Sequence, residues 1–237
     1  MLAPKAKKFP LVRGTAIAES LAAYYKDGTD PSSIFSALKP HDLSGDDLEE
    51  WTKWAFMLKR FPDWERTAYP GRETIEVETT RTRKLNSHTV VDVRPDAMAK
   101  FNGLLWCVEH KSVSRVKPQR WAFDPQSQTY CWVTGAEGTL YNLLTTTAPY
   151  FHPMAVARSV PEIEAVERAI RTEVREIRRA LKHPSLFYPS PAWDCNSCFY
   201  RELCLADLEG HDRASIIQEL FEKREEKHVD LEEETRE

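Results

Sequence analysis

The sequence predicts an α/β fold. Apolar residues recur at helical spacing towards both ends of the chain, whereas the centre switches to the period-two alternation of strands. A third feature, three cysteines within ten residues at Cys195, Cys198 and Cys204, marks off a C-terminal Cys-rich segment, 189–208.

In chain order, a first helix is expected over about 14–25, ended by Lys26-Asp27-Gly28. Asp30-Pro31-Ser32-Ser33 reads as a turn into a second helix. Asp46 or Asp47 would cap a third, in which Leu48, Trp51, Trp54, Ala55 and Leu58 share a face, and Trp51 and Trp54 read as core. Pro62 and Pro70 are expected to break that pattern. Residues 74–82 alternate as one strand, 89–93 are β-branched, and Asn102-Gly103 is a tight-turn signal before a strand at 104–108. Together these read as a meander. Cys107 alternates into its interior. Residues 118–133 look helical, kinked or restarted at Pro125, and Glu137-Gly138 turns into a strand over 140–147. Ile163, Val166, Ile170, Val174, Ile177 and Leu181 make the clearest helical stripe, which predicts an amphipathic core helix with a solvated Glu/Arg face. Residues 222–237 hold eight acidic and four basic residues and read as a charged helix or disordered tail. The expected division is a domain over 1–210 and a tail over 211–237.

The chain has 237 residues, enough for one well-packed domain with an appendage. Thirty-three Lys and Arg against 37 Asp and Glu give a net charge of −4, so any contact with nucleic acid must be local. No apolar run approaches the ~20 residues of a membrane span, and 1–13 lack an apolar signal core. A cytoplasmic location and no membrane partner are therefore expected. In a reducing compartment, clustered cysteines point to a metal or iron–sulfur site before a disulfide.

Chemistry concentrates around Asp96, Glu109, His110 and Lys111. On a strand, Glu109 and Lys111 share a face and His110 takes the other. A hairpin at Asn102-Gly103 would bring Asp96 alongside. Two carboxylates, with the His110 carbonyl as a further oxygen, suit magnesium or manganese, and a lysine beside them could orient water or stabilise a phosphorane. Alone, Glu-x-Lys is a weak pattern that also fits a salt-bridged strand face. Gln126 and Tyr130 share a face of the helix that follows.

The order Asp96, Glu109-His110-Lys111, Gln126-Ser127-Gln128-Thr129-Tyr130, then Cys195-x2-Cys198-x5-Cys204 resembles the PD-(D/E)XK nuclease superfamily, and within it the RecB-type branch. That branch includes the nuclease domains of RecB and AddB, CRISPR-associated RecB-like exonucleases and phage relatives. Arg94-Pro95-Asp96-Ala97, Gly14-Thr15-Ala16-Ile17 and Leu140-Tyr141-Asn142 resemble further family segments. The resemblance implies a restriction-endonuclease-like core, a central mixed sheet flanked by helices. It implies a metal-dependent DNA exonuclease of bacterial or phage-infected host cytoplasm, acting in recombination, repair or phage DNA metabolism on single strands or duplex ends. Asp96 and Glu109 would bind the metal with the His110 carbonyl, Lys111 would be the catalytic lysine, and Gln126 and Tyr130 would position DNA. Glu78 would be an accessory acid, and Asp92 an alternative ligand if its strand runs regularly to Asp96.

Two departures stand out. Many members carry a metal-binding His four residues after the first-helix glycine, where this chain has Ala18, with Glu19 adjacent. Members with an iron–sulfur cluster usually place a fourth Cys before that helix, whereas here none precedes Cys107. Cys195, Cys198 and Cys204 would then hold iron–sulfur or zinc with Cys107, Cys131, His183 or a small thiol as fourth ligand, or hold no metal. Alternative classes are a non-catalytic DNA-end-binding module, or an assembly subunit of a DNA-processing complex with protein partners.

Overall fold

The computed structural model describes residues 2–4, 9–183, 195, 196 and 198–223. The elements run β1 (Leu2–Pro4), α1 (Phe9–Asp27), α2 (Pro31–Ala37), α3 (Gly45–Leu58), α4 (Phe61–Ala68), β2 (Glu73–Val77), β3 (Arg81–Asn86), β4 (Thr89–Val93), β5 (Ala97–Phe101) and β6 (Leu104–Ser112). They continue with α5 (Pro118–Ala122), α6 (Pro125–Thr134), β7 (Gly138–Leu144), β8 (Phe151–Ala157), α7 (Val160–Lys182), α8 (Arg201–Glu209), α9 (Arg213–Leu220) and β9 (Phe221–Lys223). The chain divides into two units, residues 9–179 and residues 1–8 with 180–237.

The larger unit is built on a five-stranded sheet in the order β2-β5-β6-β7-β8. It is mixed: β6 and β7 run parallel and the other neighbours antiparallel. A parallel pair needs a crossover, and α5 and α6 provide it. Every residue of β7 is buried, as expected for a strand covered on both faces. One face carries Ala97, Ala99, Trp106, Val108 and Leu140 against Tyr69 and Trp64. Nearby, Ile17, Leu21, Phe35, Trp51, Trp54, Met57 and Phe61 of α1–α4 close a helical core around Leu144. The other face carries Met98 and Cys107 against Tyr130 and Cys131 of α6, and Tyr141 and Leu143 against Trp121 of α5. Burying such an aliphatic or aromatic side chain contributes ~1.5–3 kcal/mol, so these layers hold the sheet's shape.

Local chemistry explains several boundaries. Asp30 accepts the Ser32 N–H at the start of α2, and Asp124 does the same for Gln126 at the start of α6. Pro125 restarts the helix as expected, because a proline in the first turn gives up no intrahelical hydrogen bond. Asn102 and Gly103 both have positive φ, 52° and 78°, the pairing a two-residue turn needs. Gly138, where β7 begins, has no room for a side chain: an added Cβ would lie 2.2 Å from the Val156 carbonyl oxygen and 2.8 Å from the Trp106 ring.

Four expectations need correction. The strand foreseen over 74–82 is two: β2 pairs with β5, Glu78 turns at φ 52°, and β3 joins β4 in a separate hairpin. Pro62 does end the α3 pattern, but it does so in the first turn of a further helix, α4, which was not expected. Strand β8 was not foreseen. The apolar stripe of α7 is not core: no residue of α7 is fully buried, and Ile177 and Leu181 are 55% and 67% exposed.

In the smaller unit, β1 and β9 form an antiparallel pair, and α8 ends at Gly210 in the left-handed conformation. Leu203, Ala206 and Phe221 are buried, and the Phe221 ring stacks on Tyr200 at 5.3 Å. Asp212 caps α9 by accepting the Ala214 N–H. Most of the 222–237 tail and part of the 189–208 segment lie outside the described residues.

Candidate active site

The hairpin of β5 and β6 sets the site. Ala97 pairs with Val108, so Asp96 lies beside Glu109, one step further along the same ladder. Glu109 and Lys111 share the face covered by α6, while His110 points to the opposite face. Asp96, Glu109, Glu78, Gln126 and Tyr130 line one open cleft of about 640 Å³, with Ala18 of α1 and Asp92 and Arg94 at the end of β4.

Hydrogen bonds fix these groups in turn. The backbone N–H of His110 donates to Asp96 Oδ2 at 2.7 Å. Lys111 Nζ donates to Glu109 Oε1 and to Gln126 Oε1, the latter at 2.8 Å. Gln126 Nε2 reaches the Tyr130 hydroxyl, which donates to the Arg94 carbonyl at 3.3 Å. Of the two residues expected to position DNA, Gln126 holds the lysine and Tyr130 holds Gln126. Asp124, the α6 cap, accepts the Tyr141 hydroxyl at 2.7 Å, which ties the start of α6 to β7.

Electrostatics follow from burial. Glu109 is 4% exposed, and its Oε2 has no hydrogen-bond partner. Burial, then the charge of Asp96, push the Glu109 carboxyl well above the ordinary range, with Lys111 opposing. Burial also raises Asp96, against the pull of the His110 N–H. On the far face, burial lowers His110 to about 3, so its ring is neutral and not a proton carrier near neutral pH. That ring stacks on Tyr25 at 5.4 Å, and Asn142 Nδ2 lies 3.2 Å from its Nδ1. A buried ion pair between Arg72 and Glu65 closes this side.

The donor set fits a hard divalent cation, since an orphaned, buried carboxylate oxygen beside a second carboxylate is the arrangement such an ion satisfies. When bound, the ion would neutralise charge on a phosphate and lower the pKa of a water. Lys111, held by Glu109 and Gln126, would direct its side-chain nitrogen at the same place.

Other expectations fare differently. Glu78 lines the cleft but turns to Arg94 Nε, 3.1 Å away. Asp92 does not share a regular strand with Asp96, since β4 ends at Val93, and it accepts the Thr82 hydroxyl instead. Among the described residues no group of three or more His, Cys, Asp or Glu side chains could hold a metal ion. Cys195, Cys198 and Cys204 form no such group among the described residues, which gives the iron–sulfur or zinc site their spacing suggests no support: Cys198 is exposed and Cys204 is carried on α8. Cys107 and Cys131 are buried on β6 and α6. Arg94 is a cleft residue to which sequence reasoning gave no role. Its partners, the Glu78 carboxylate and the Tyr130 hydroxyl, depend on the break between β4 and β5, which leaves no local pattern.

The sequence profile of the PD-(D/E)XK nuclease superfamily matches residues 3–205. The chain belongs to this superfamily. No curated protein sequence matches it. Among solved structures, SSO0001 is similar at 18% identity, covering 81% of this chain and 84% of its own, with a TM-score of 0.40. A protein of Eubacterium rectale matches at 12% identity over 75% of this chain and 69% of its own, with a TM-score of 0.47. An alkaline exonuclease from Laribacter hongkongensis matches at 13% identity over 75% of this chain and 98% of its own, with a TM-score of 0.35. Superfamily members generally use divalent metals, and the mixed sheet flanked by helices is the restriction-endonuclease-like core.

Proposed function

We propose that this PD-(D/E)XK protein is a magnesium- or manganese-dependent deoxyribonuclease of the RecB type, removing nucleotides from DNA ends in recombination, repair or phage DNA metabolism. Asp96 and Glu109 hold the metal with the His110 carbonyl, Lys111 stabilises the phosphorane or orients the water, and Gln126 and Tyr130 position Lys111 and the strand. The observation that carries this reading is the unpartnered Glu109 Oε2 beside Asp96 in one open cleft, with Lys111 bonded to the other oxygen of Glu109. Glu109 has one counter-charge, Lys111 on Oε1, which leaves Oε2 and the neighbouring Asp96 carboxylate uncompensated, and sites retain such buried carboxylates for catalysis or ion binding.

The test is degradation of 5′- and 3′-labelled single-stranded and duplex DNA with magnesium and with manganese. Loss of label from one end, abolished by Asp96→Ala and Glu109→Ala, supports the reading. Cleavage that survives both substitutions overturns the assigned site. A second reading, DNA-end binding without turnover, is favoured by Ala18, which lines the cleft where many relatives carry a metal-binding His. DNA binding with no cleavage under either metal selects it.

A further inference from the structure

Helix α7 carries Arg168, Arg171, Arg175 and Arg178, spaced three, four and three apart and so on one face. With Leu85 and Asn86 at the tip of the β3–β4 hairpin, these four arginines line a groove of about 440 Å³. Among the described residues that line it, none is acidic.

The arginines divide by role. Arg171 donates to the Leu85 carbonyl at 3.0 Å and is paired with Glu167, and Arg178 donates to the His88 carbonyl at 3.3 Å and to the Thr89 hydroxyl. These two fasten the hairpin to the helix. Arg168 meets Glu164 only at 3.9 Å, and Arg175 donates to the Thr172 hydroxyl at 3.1 Å, leaving most of both guanidiniums uncommitted. Like charges at these spacings repel along a helix; Glu167 and the oxygens of the hairpin offset this at Arg171 and Arg178, whereas among the described residues Arg168 and Arg175 have only one weak partner each. The chain as a whole is acidic, with a net charge of −4, so this local cationic face is not a by-product of composition.

We infer that this groove grips the phosphodiester backbone of DNA beyond the cleft. The inference deepens the nuclease reading and takes from it the place of the scissile bond. One hairpin spans both places: Asp92 and Val93 at its base line the cleft, and Leu85 and Asn86 at its tip line the groove. Thr82 pairs with Asp92, and Asn86 lies four residues further out, ~13 Å at the strand rise of about 3.3 Å. At ~3.4 Å per nucleotide of duplex, the groove meets the backbone about four nucleotides from the cleft. Arginine forks match phosphate oxygens bidentately, and a helix lying along the hairpin gives them a fixed line to follow. Backbone contacts of this kind carry no sequence preference.

The test separates the groove from catalysis by measuring binding without turnover. Anisotropy of fluorescein-labelled duplex and single-stranded DNA of about 20 nucleotides, in EDTA over a range of salt, is compared for the full chain and Arg168→Ala/Arg175→Ala. Both residues are exposed, and thermal unfolding checks that the variant folds. The expected result is roughly tenfold weaker binding, with the slope of log K against log salt shallower by about two. Glu164→Gln, which removes the carboxylate facing Arg168, should tighten binding about twofold. Hydrolysis of bis(4-nitrophenyl) phosphate, too small to reach the groove, should be unchanged in both variants. A folded double variant that binds DNA as tightly as the parent, with the same salt slope, overturns the inference whether or not the protein cleaves DNA. A parent chain that binds no DNA overturns it too. Arginine-dependent binding without any cleavage leaves the groove standing and removes the nuclease reading alone.

Discussion

Replacing Glu109 with Gln should make the metal-free protein more stable, not less, at alkaline pH. The side chain is 4% exposed, its Oε2 has no hydrogen-bond partner, and the Asp96 carboxylate lies beside it. An unsatisfied buried acceptor costs about 1–3 kcal/mol, and more when charged, whereas Gln is isosteric, neutral and still offers Lys111 an acceptor oxygen. The Lys111 pair returns part of that cost, so a net gain of about 2 kcal/mol is expected, or roughly 4–8 °C in Tm for a domain of this size. The sign depends on pH. Both carboxyls titrate above their unfolded values, so between those values the folded chain binds more protons than the unfolded one, and stability falls as pH rises. The advantage of Gln should therefore be small near pH 5 and open as pH rises through the elevated range. Thermal unfolding followed by circular dichroism in EDTA, at the two ends of that range, measures it. Adding magnesium should stabilise the parent and leave the variant nearly unchanged, because an ion that binds only the folded state raises its stability by mass action. A Glu109→Gln protein that is less stable than the parent at alkaline pH in EDTA would refute the claim that Lys111 compensates the buried Glu109 charge only in part.

Lys111→Ala should lower turnover by roughly 10²–10⁴-fold with little change in DNA affinity, as single-turnover rates and equilibrium binding would show. If affinity collapses while bound DNA is still cleaved, Lys111 is a phosphate contact only. Ala18→His puts an imidazole into the cleft that Asp96 and Glu109 line, so manganese binding by calorimetry should tighten and cleavage should rise; no change in a folded variant would mean the first-helix position is not at the metal. Gly138→Ala should cost about 3 kcal/mol or more, because the new Cβ would meet backbone atoms of β8 at 2.2 and 2.7 Å, and a drop in Tm would show it.

The sequence disclosed this fold where local signals and packing agree. Asn102-Gly103 announced a hairpin, and the hairpin carried Asp96 to Glu109. Trp51 and Trp54 kept their helical spacing and lie in the core. Strand β8 escaped notice because Pro153 sits in its middle, a residue tolerated there only because β8 is at the sheet's edge. The break at Glu78 falls where the Ile75/Val77 alternation ends, and it was hidden by the threonines that follow, which a continuing strand also accepts, although β2 and β3 pair with different partners. In α7 the period was plain, but how deeply a stripe is buried depends on what lies opposite, and that is not a local property. The face shared by Gln126 and Tyr130 was legible from spacing. That it meets Lys111 depends on the approach of α6 to β6, which no short pattern encodes.

The turn at Asn102 and Gly103 bears on how this protein can be engineered. Both residues are exposed, both lie far from the cleft, and such a loop is where a tag or reporter domain would ordinarily be spliced in. Yet that turn sets the register between β5 and β6, and side chains alternate with a period of two. One extra residue absorbed into β6 would exchange its faces, delivering His110 to the cleft and sending Glu109 and Lys111 into the apolar layer around Tyr25 and Phe61. A grafting survey that scored sites by exposure and distance from the cleft alone would rank this loop among the safest in the molecule.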